Sequence, residues 1–208
     1  MTKKKVLIIF DHPYTATASE NIPHHRSFSA ALLASVTKGL HAGGHQVDLI
    51  DLHADGFNPV MSAEELAAWR QRKILDPLVK DYQMRLFEAD HIIFIFPIWW
   101  EAMPAITKGF LDKVFTKGII YDEPKPGRPF VSKLKKLKGV SLFTVMATPG
   151  FFYRWIYGNL ITKLLFRGTF RKMGFHKLKW YNYTRMADRT IEDRTKYLEQ
   201  TEKRFASL

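Results

Sequence analysis

IFIFPIWWEAMPAITKGFLDKVF, residues 93–115, begins as a strand and finishes as a helix. The apolar run extends back through HIIFIFP (91–97), short and uninterrupted, the pattern of a strand buried on both faces. Pro104 falls in the first turn of the following helix, where a missing N–H costs nothing. Ile106, Phe110 and Val114, with Leu111 and Phe115 alongside, give that helix one apolar face. Between strand and helix stand Trp99, Trp100 and Glu101. Two large rings at the point where a buried strand surfaces are either core or interface residues, or a wall on which a flat ligand stacks.

Working outward, strands and helices keep alternating. KVLIIF (5–10) reads as another doubly buried strand. FSAALLASVTKGLHA (28–42) has helical periodicity and stops at Gly43-Gly44. QVDLIDL (46–52) is the next strand. The looser region 53–75 holds a short helix that Ser62 caps, with Glu65 completing an S-x-x-E box. A helix over 76–89 leads into the 91–97 strand. After a Pro-, Gly- and Lys-rich loop (118–138) come the strand GVSLFTVM (139–146), an aromatic stretch (151–173), the strand HKLKWYNY (176–183) and a charged terminal helix (190–205). Five alternations predict parallel β-α-β units in one α/β domain over 1–208, an open doubly wound sheet with helices on both faces.

The totals narrow the chemistry. The 208 residues contain no cysteine, which removes disulfides, thiolate metal sites and cysteine nucleophiles. No metal is expected. The N-terminal apolar run is too short for a signal peptide and no apolar stretch reaches the ~18 residues that span a bilayer, so a cytoplasmic protein is expected. The 32 basic and 20 acidic residues leave a net charge of +12. Such an excess suits a nucleic acid, an anionic membrane or a phosphate-bearing ligand, or serves solubility alone. No helix-turn-helix or zinc pattern supports nucleic acid, and none is expected as a partner.

In an open α/β sheet, ligands bind beyond the carboxyl ends of the strands at the switch point. Three loops leave such ends here: 11–27, 97–104 and 147–153. The first runs from Asp11-His12-Pro13 to Arg26-Ser27-Phe28-Ser29 and enters a helix, whose free N–H groups and dipole favour a phosphate; Ser27 or Ser29 is equally readable as a plain N-cap. There is no G-x-G-x-x-G or P-loop pattern after the first strand. The third loop, Ala147-Thr148-Pro149-Gly150, is small and turn-prone, allowing close backbone approach.

FPIWWEAMPAITKGFLDKVF resembles the signature of the NAD(P)H:quinone oxidoreductase family, flavodoxin-like flavoproteins of the quinone reductase, drug-activity modulator and potassium-efflux accessory type. His12-Pro13, Ser27-Phe28-Ser29 and Phe57-Asn58-Pro59 fall in the same order as the family's matching elements. The resemblance implies a flavodoxin-like five-stranded parallel sheet of order 2-1-3-4-5 and a bound flavin, FAD with FMN as the alternative. His12, Arg26, Ser27, Phe28, Ser29 and Ala31 would hold the phosphate end. Pro97, Ile98, Trp99, Trp100 and Glu101, with Ala147, Thr148 and Gly150, would frame the ring, and Arg194 would lie near the adenosine end. The first loop is longer than the family's short turn, and Pro149 replaces the first glycine of a Thr-Thr-Gly-Gly pattern. Of the tyrosine and histidine that family quinone reductases place beside the ring, Tyr153 is the candidate for the first and the histidine has no counterpart.

The implied reaction is a ping-pong hydride transfer from NAD(P)H to flavin and on to a quinone-like acceptor, in a homodimer. Tyr153 would bond the acceptor oxygen or simply wall the site. The run 151–170, aromatic and basic at once, reads as a lid, a dimer face, a membrane-surface segment or a core helix. The efflux accessory relatives suggest another role, a regulatory flavoprotein bound to a membrane transporter.

Overall fold

The computed structural model describes residues 2–20 and 26–208. Five parallel strands form the central sheet: β1 (Lys5–Phe10), β2 (Gln46–Asp51), β3 (His91–Pro97), β6 (Gly139–Met146) and β7 (Leu178–Thr184). Their order is β2-β1-β3-β6-β7. This is the expected 2-1-3-4-5 arrangement; the intervening numbers belong to β4 (Tyr121–Asp122) and β5 (Val131–Ser132), a two-residue antiparallel pair in the 118–138 loop. Four helices join or follow these strands: α1 (Phe28–Ala42), α3 (Pro77–Glu88), α4 (Ala105–Val114) and α5 (Ile191–Phe205), with the short α2 (Ala63–Arg70) before α3.

Alternation within each strand builds a core on each side of the sheet. Leu7, Ile9, Ile92, Phe94, Val140 and Leu142 face one cluster, with Val79 and Leu86 of α3 and Phe110 of α4. Val6, Ile8, Ile93, Ile95 and Phe143 face the other, with Leu32, Val36 and Leu40 of α1 and Phe205 of α5. α1 and α5 run side by side in the same direction. A Cβ on Gly39 would stand 2.3 Å from the Glu202 carbonyl oxygen, and one on Gly43 2.5 Å from that of Ala206. Glycine is required there by close backbone approach.

The capping box at Ser62 and Glu65 forms in full. Pro104 proves to be the N-cap of α4, one position before the first turn, with φ −60° and ψ 156°. β7 starts at Leu178 rather than 176. Residues 152–156 and 162–170 wind as π-helix. No described helix is long and apolar enough to cross a membrane.

The register aligns the strand exits. Phe10 pairs with Asp51 and with Ile95, Pro97 with Val145, and Met146 with Thr184. The loops at 11, 52, 98, 147 and 185 therefore leave along one rim.

Candidate functional site

The stretch after β3 makes a tight reversal. Trp99 and Ala102 exchange both backbone hydrogen bonds, each 3.1 Å, and the two residues between them have positive φ, 49° for Trp100 and 61° for Glu101. Two left-handed central residues define a type I′ turn, which ordinarily takes Asn or Gly. A tryptophan and a glutamate held there carry backbone strain of about 1–2 kcal/mol each. The turn lifts the Trp100 side chain fully into solvent, while Trp99 is 46% exposed. Neither indole belongs to the core.

Glu101 binds this turn to the next loop. Its Oε1 accepts a hydrogen bond of 2.6 Å from the Thr148 hydroxyl, and its carbonyl accepts one of 2.9 Å from the Tyr153 hydroxyl. The Ile98 N–H donates to the Val145 carbonyl, 2.8 Å. Glu101 Oε2 is buried and, among the described residues, has no donor. A buried carboxylate oxygen without a partner is costly, and marks a place where a ligand donor would be stabilised.

The first loop joins through Asp11, which is wholly buried. Its Oδ2 accepts hydrogen bonds from the Thr107 hydroxyl and from the Thr107 N–H (3.2 Å), and its Oδ1 lies 3.1 Å from His53 Nε2. Asp11 thus ties β1 to the start of α4 and to the loop after β2. Burial lifts its carboxyl above the usual carboxylate range, outweighing the bonds from Thr107 and His53 that pull it down. Next to it, burial and then the nearby His53 hold the His12 imidazole below its ordinary range. Asp51 accepts from the Ala16 N–H (2.7 Å) and fixes the short turn Ala16–Ser19.

Ser27 is the N-cap of α1, its hydroxyl accepting from the Ala30 N–H at 3.3 Å. The first N–H groups of the helix, at Phe28 and Ser29, have no helical acceptor and form the positive dipole end. Arg26 sits at the surface just before this cap, Ser29 is buried, and Phe28 packs edge-on against Tyr183, centroids 5.6 Å apart. Residues 21–25 of the long first loop lie outside the described residues.

The residues that the resemblance singled out divide into two groups. Pro97, Ile98, Trp99, Trp100, Glu101, Ala147, Thr148 and Gly150 come together on the rim. His12, Ser27, Phe28, Ser29 and Ala31 belong to the neighbouring exit of β1. Arg194 is half-buried on α5, where its guanidinium donates to the Arg189 and Ala187 carbonyls. The offset that pairs Gly39 with Glu202 puts Arg194 level with Ala31. Tyr153, the catalytic candidate, bonds to the rim from the interior. It is wholly buried, donating to Glu101 and accepting from the Ile161 N–H at 2.9 Å. Burial pushes its hydroxyl up to about 12, so it stays neutral, and both of its hydrogen-bonding roles are taken. Its hydroxyl links the Glu101 turn to the Ile161 backbone.

Other motif residues serve the scaffold. A Cβ on Gly109 would fall 2.4 Å from the Pro59 oxygen. The buried Lys113 Nζ donates to the Asn58 carbonyl (3.0 Å), pairs with Glu65 (2.8 Å) and Asp76 (3.2 Å), and lies over the Phe57 ring. Phe57-Asn58-Pro59, Gly109 and Lys113 are thus one packing unit. Asp11 and His53, which sequence reasoning did not single out as site residues, are the linkers between loops. An acidic residue directly at the end of a doubly buried strand was the available signal.

A family model described as "Flavodoxin-like fold" matches residues 4–208. The chain belongs to that family. Among curated flavodoxin-like relatives, the uncharacterized NAD(P)H oxidoreductase YcaK of Escherichia coli K12 is 28% identical over 124 residues, 59% of this chain and 58% of that protein. The ribosyldihydronicotinamide dehydrogenase (quinone) of Pongo abelii is 30% identical over 141 residues, 60% and 56% of the two chains. The chain thus spans under three fifths of the length of these curated relatives. Among solved structures, Smu.1420 from Streptococcus mutans superposes with a TM-score of 0.79 at 29% identity, covering 98% of this chain and all of that one. An NAD(P)H:quinone oxidoreductase from Methanothermobacter marburgensis gives 0.82 at 21% identity over 99% of both. An FMN-dependent NADH-azoreductase from Bacillus anthracis, solved with FMN, gives 0.76 at 15% identity over 98% of both. At the last two identities the likeness is one of fold.

Proposed function

We propose that the protein is a flavin-dependent NAD(P)H oxidoreductase that passes two electrons, as hydride, to a quinone-like acceptor. The observation that carries this reading is that Asp11 ties the β1 exit to the start of α4 while Glu101 ties the β3 exit to the β6 exit at Thr148, beside two exposed indoles. The relatives named NAD(P)H oxidoreductase and quinone dehydrogenase support the same reaction class.

The residues fit a flavin at both ends. A flavin tail is anionic, and the first N–H groups of α1 offer donors that have no acceptor within the helix, with a favourable dipole. A flavin ring carries an imide N–H, the kind of donor that Glu101 Oε2 lacks. The bound flavin would supply the two-electron chemistry. The protein's part is to hold and orient. Trp99 and Trp100 offer aromatic faces at the rim. The N–H groups of Thr148 and Gly150 are available to stabilise negative charge on the ring, while Pro149 has none to give. Tyr153 and Thr148 keep the Glu101 turn in place. The Ser27-Phe28-Ser29 element leads us to FAD, with FMN as the alternative.

The test is direct. The protein purified or reconstituted with flavin should be yellow, bleach anaerobically with NAD(P)H, and recover its colour on addition of a benzoquinone. Chromatography of the released cofactor separates FAD from FMN. A colourless protein that binds neither flavin would refute the proposal.

A further inference from the structure

Between Glu123 and Asp188 the chain carries fourteen lysines and arginines and no acidic residue. The remainder, with 18 basic and all 20 acidic residues, is close to neutral. The whole positive excess of the protein therefore resides in one stretch.

The middle of that stretch, residues 150–173, leaves the rim after β6. It packs Tyr153, Ile161, Leu165 and Phe170 inward and leaves a second apolar surface outside. Trp155 is 80% exposed and Ile156 67%, with Phe151, Phe152, Leu160 and Leu164 also at the surface. Beside this patch, Lys163, Arg167 and Arg171 follow one another at intervals of four. Lys163 and Arg167 lie on the π-helix, which turns once in somewhat more than four residues, and Arg171 follows directly at its end, so the three stand in a row. With Asn159 and Thr162 they line a hollow of about 280 Å³. Among the described residues none of the three forms a salt bridge.

We propose that this face docks on an anionic phospholipid bilayer. Trp155, Ile156, Leu160 and Leu164 enter the interface, and the line Lys163–Arg167–Arg171 meets the phosphate head groups. Exposed indole and aliphatic groups bordered by basic side chains are what an interfacial segment requires. A second copy that met this surface with its own would complement it poorly. It would set lysines and arginines against their own kind, with no carboxylate on the segment to pair them. A nucleic acid would satisfy the charges and leave Ile156, Leu160 and Leu164 with nothing to stack on. The inference does not rest on the flavin reading, because docking is measured with no nicotinamide or acceptor present.

The experiment is co-sedimentation of the whole chain with phosphatidylcholine vesicles, with and without phosphatidylglycerol. Binding is expected only to the anionic vesicles and falls as salt is raised. Arg167→Gln should weaken it about fivefold. Trp155→Ser and Ile156→Ser should each weaken it by roughly tenfold or more, through lost apolar burial. All three side chains are exposed, so circular dichroism melts should match the wild type. The absence of vesicle binding at low salt overturns the proposal. So do Trp155→Ser and Ile156→Ser variants that bind as the wild type, a lipid-free dimer that Trp155→Ser splits, or capture of RNA in preference to vesicles.

Discussion

Replacing Tyr153 by phenylalanine removes one oxygen and leaves the ring's packing intact, so the variant isolates the two hydrogen bonds of the hydroxyl. One is donated to the Glu101 carbonyl and one accepted from the Ile161 N–H, both 2.9 Å. The Ile161 N–H is buried and the Glu101 carbonyl partly so. Leaving one buried and one half-shielded group without partners costs about 2–4 kcal/mol. For a chain of this size that corresponds to a fall in Tm of roughly 4–12 °C. The loss should also reach the rim, because the same hydroxyl restrains a turn whose central residues both lie in the left-handed region. Flavin affinity, read by fluorescence titration, should drop along with stability. Differential scanning calorimetry and titration of the same preparation test both expectations. A Tm within a degree or so of wild type with unchanged flavin affinity would refute the view that Tyr153 holds the Glu101 turn.

Trp100→Gly relieves a left-handed backbone and removes no buried contact, so urea unfolding of the flavin-free protein should show equal or slightly greater stability, by up to about 1 kcal/mol. Flavin affinity should fall if the indole stacks on the ring, so the two measurements are expected to move in opposite directions. Gly109→Ala drives a methyl into the Pro59 backbone and should lower stability by about 3 kcal/mol or more, unless α4 shifts, which the crystal structure of the variant would reveal. His91 is held down to about 4, chiefly by burial and then by neighbouring positive charges, with its Nε2 2.9 Å from the Ser141 hydroxyl. A depressed imidazole contributes stability above its unfolded value of 6.5 that is lost as pH falls towards 4. Urea titrations should therefore show about 3 kcal/mol less stability at pH 4 than at pH 7 from this group, and His91→Asn should flatten that slope.

The strands were readable because burial on both faces leaves an uninterrupted apolar run. KVLIIF and GVSLFTVM match β1 and β6 residue for residue. Ser62 and Glu65 announced their helix because a capping box is a local pattern. The rim was legible in composition and not in shape. Nothing in Trp100-Glu101 signals positive φ, since the turn is imposed by the bonds between Trp99 and Ala102 and by Thr148, 47 residues away. Tyr153 was singled out by the resemblance alone; its burial was not legible, because the 151–170 run is aromatic throughout and its π-helical winding departs from the 3.6-residue period that separates inside from outside. Asp11 was missed as a linker because its partner Thr107 lies 96 residues away.

The glycine contacts between α1 and α5 have a bearing on how this molecule moves. Backbone presses on backbone at Gly39 and Gly43, so neither helix has a cushion of side chains across which to slide. The pair α1 and α5 should therefore move as one rigid unit, with conformational adjustment expected at the strand exits instead. Amide exchange should reveal that division, slow beneath α1 and quick along residues 98–102 and 147–151.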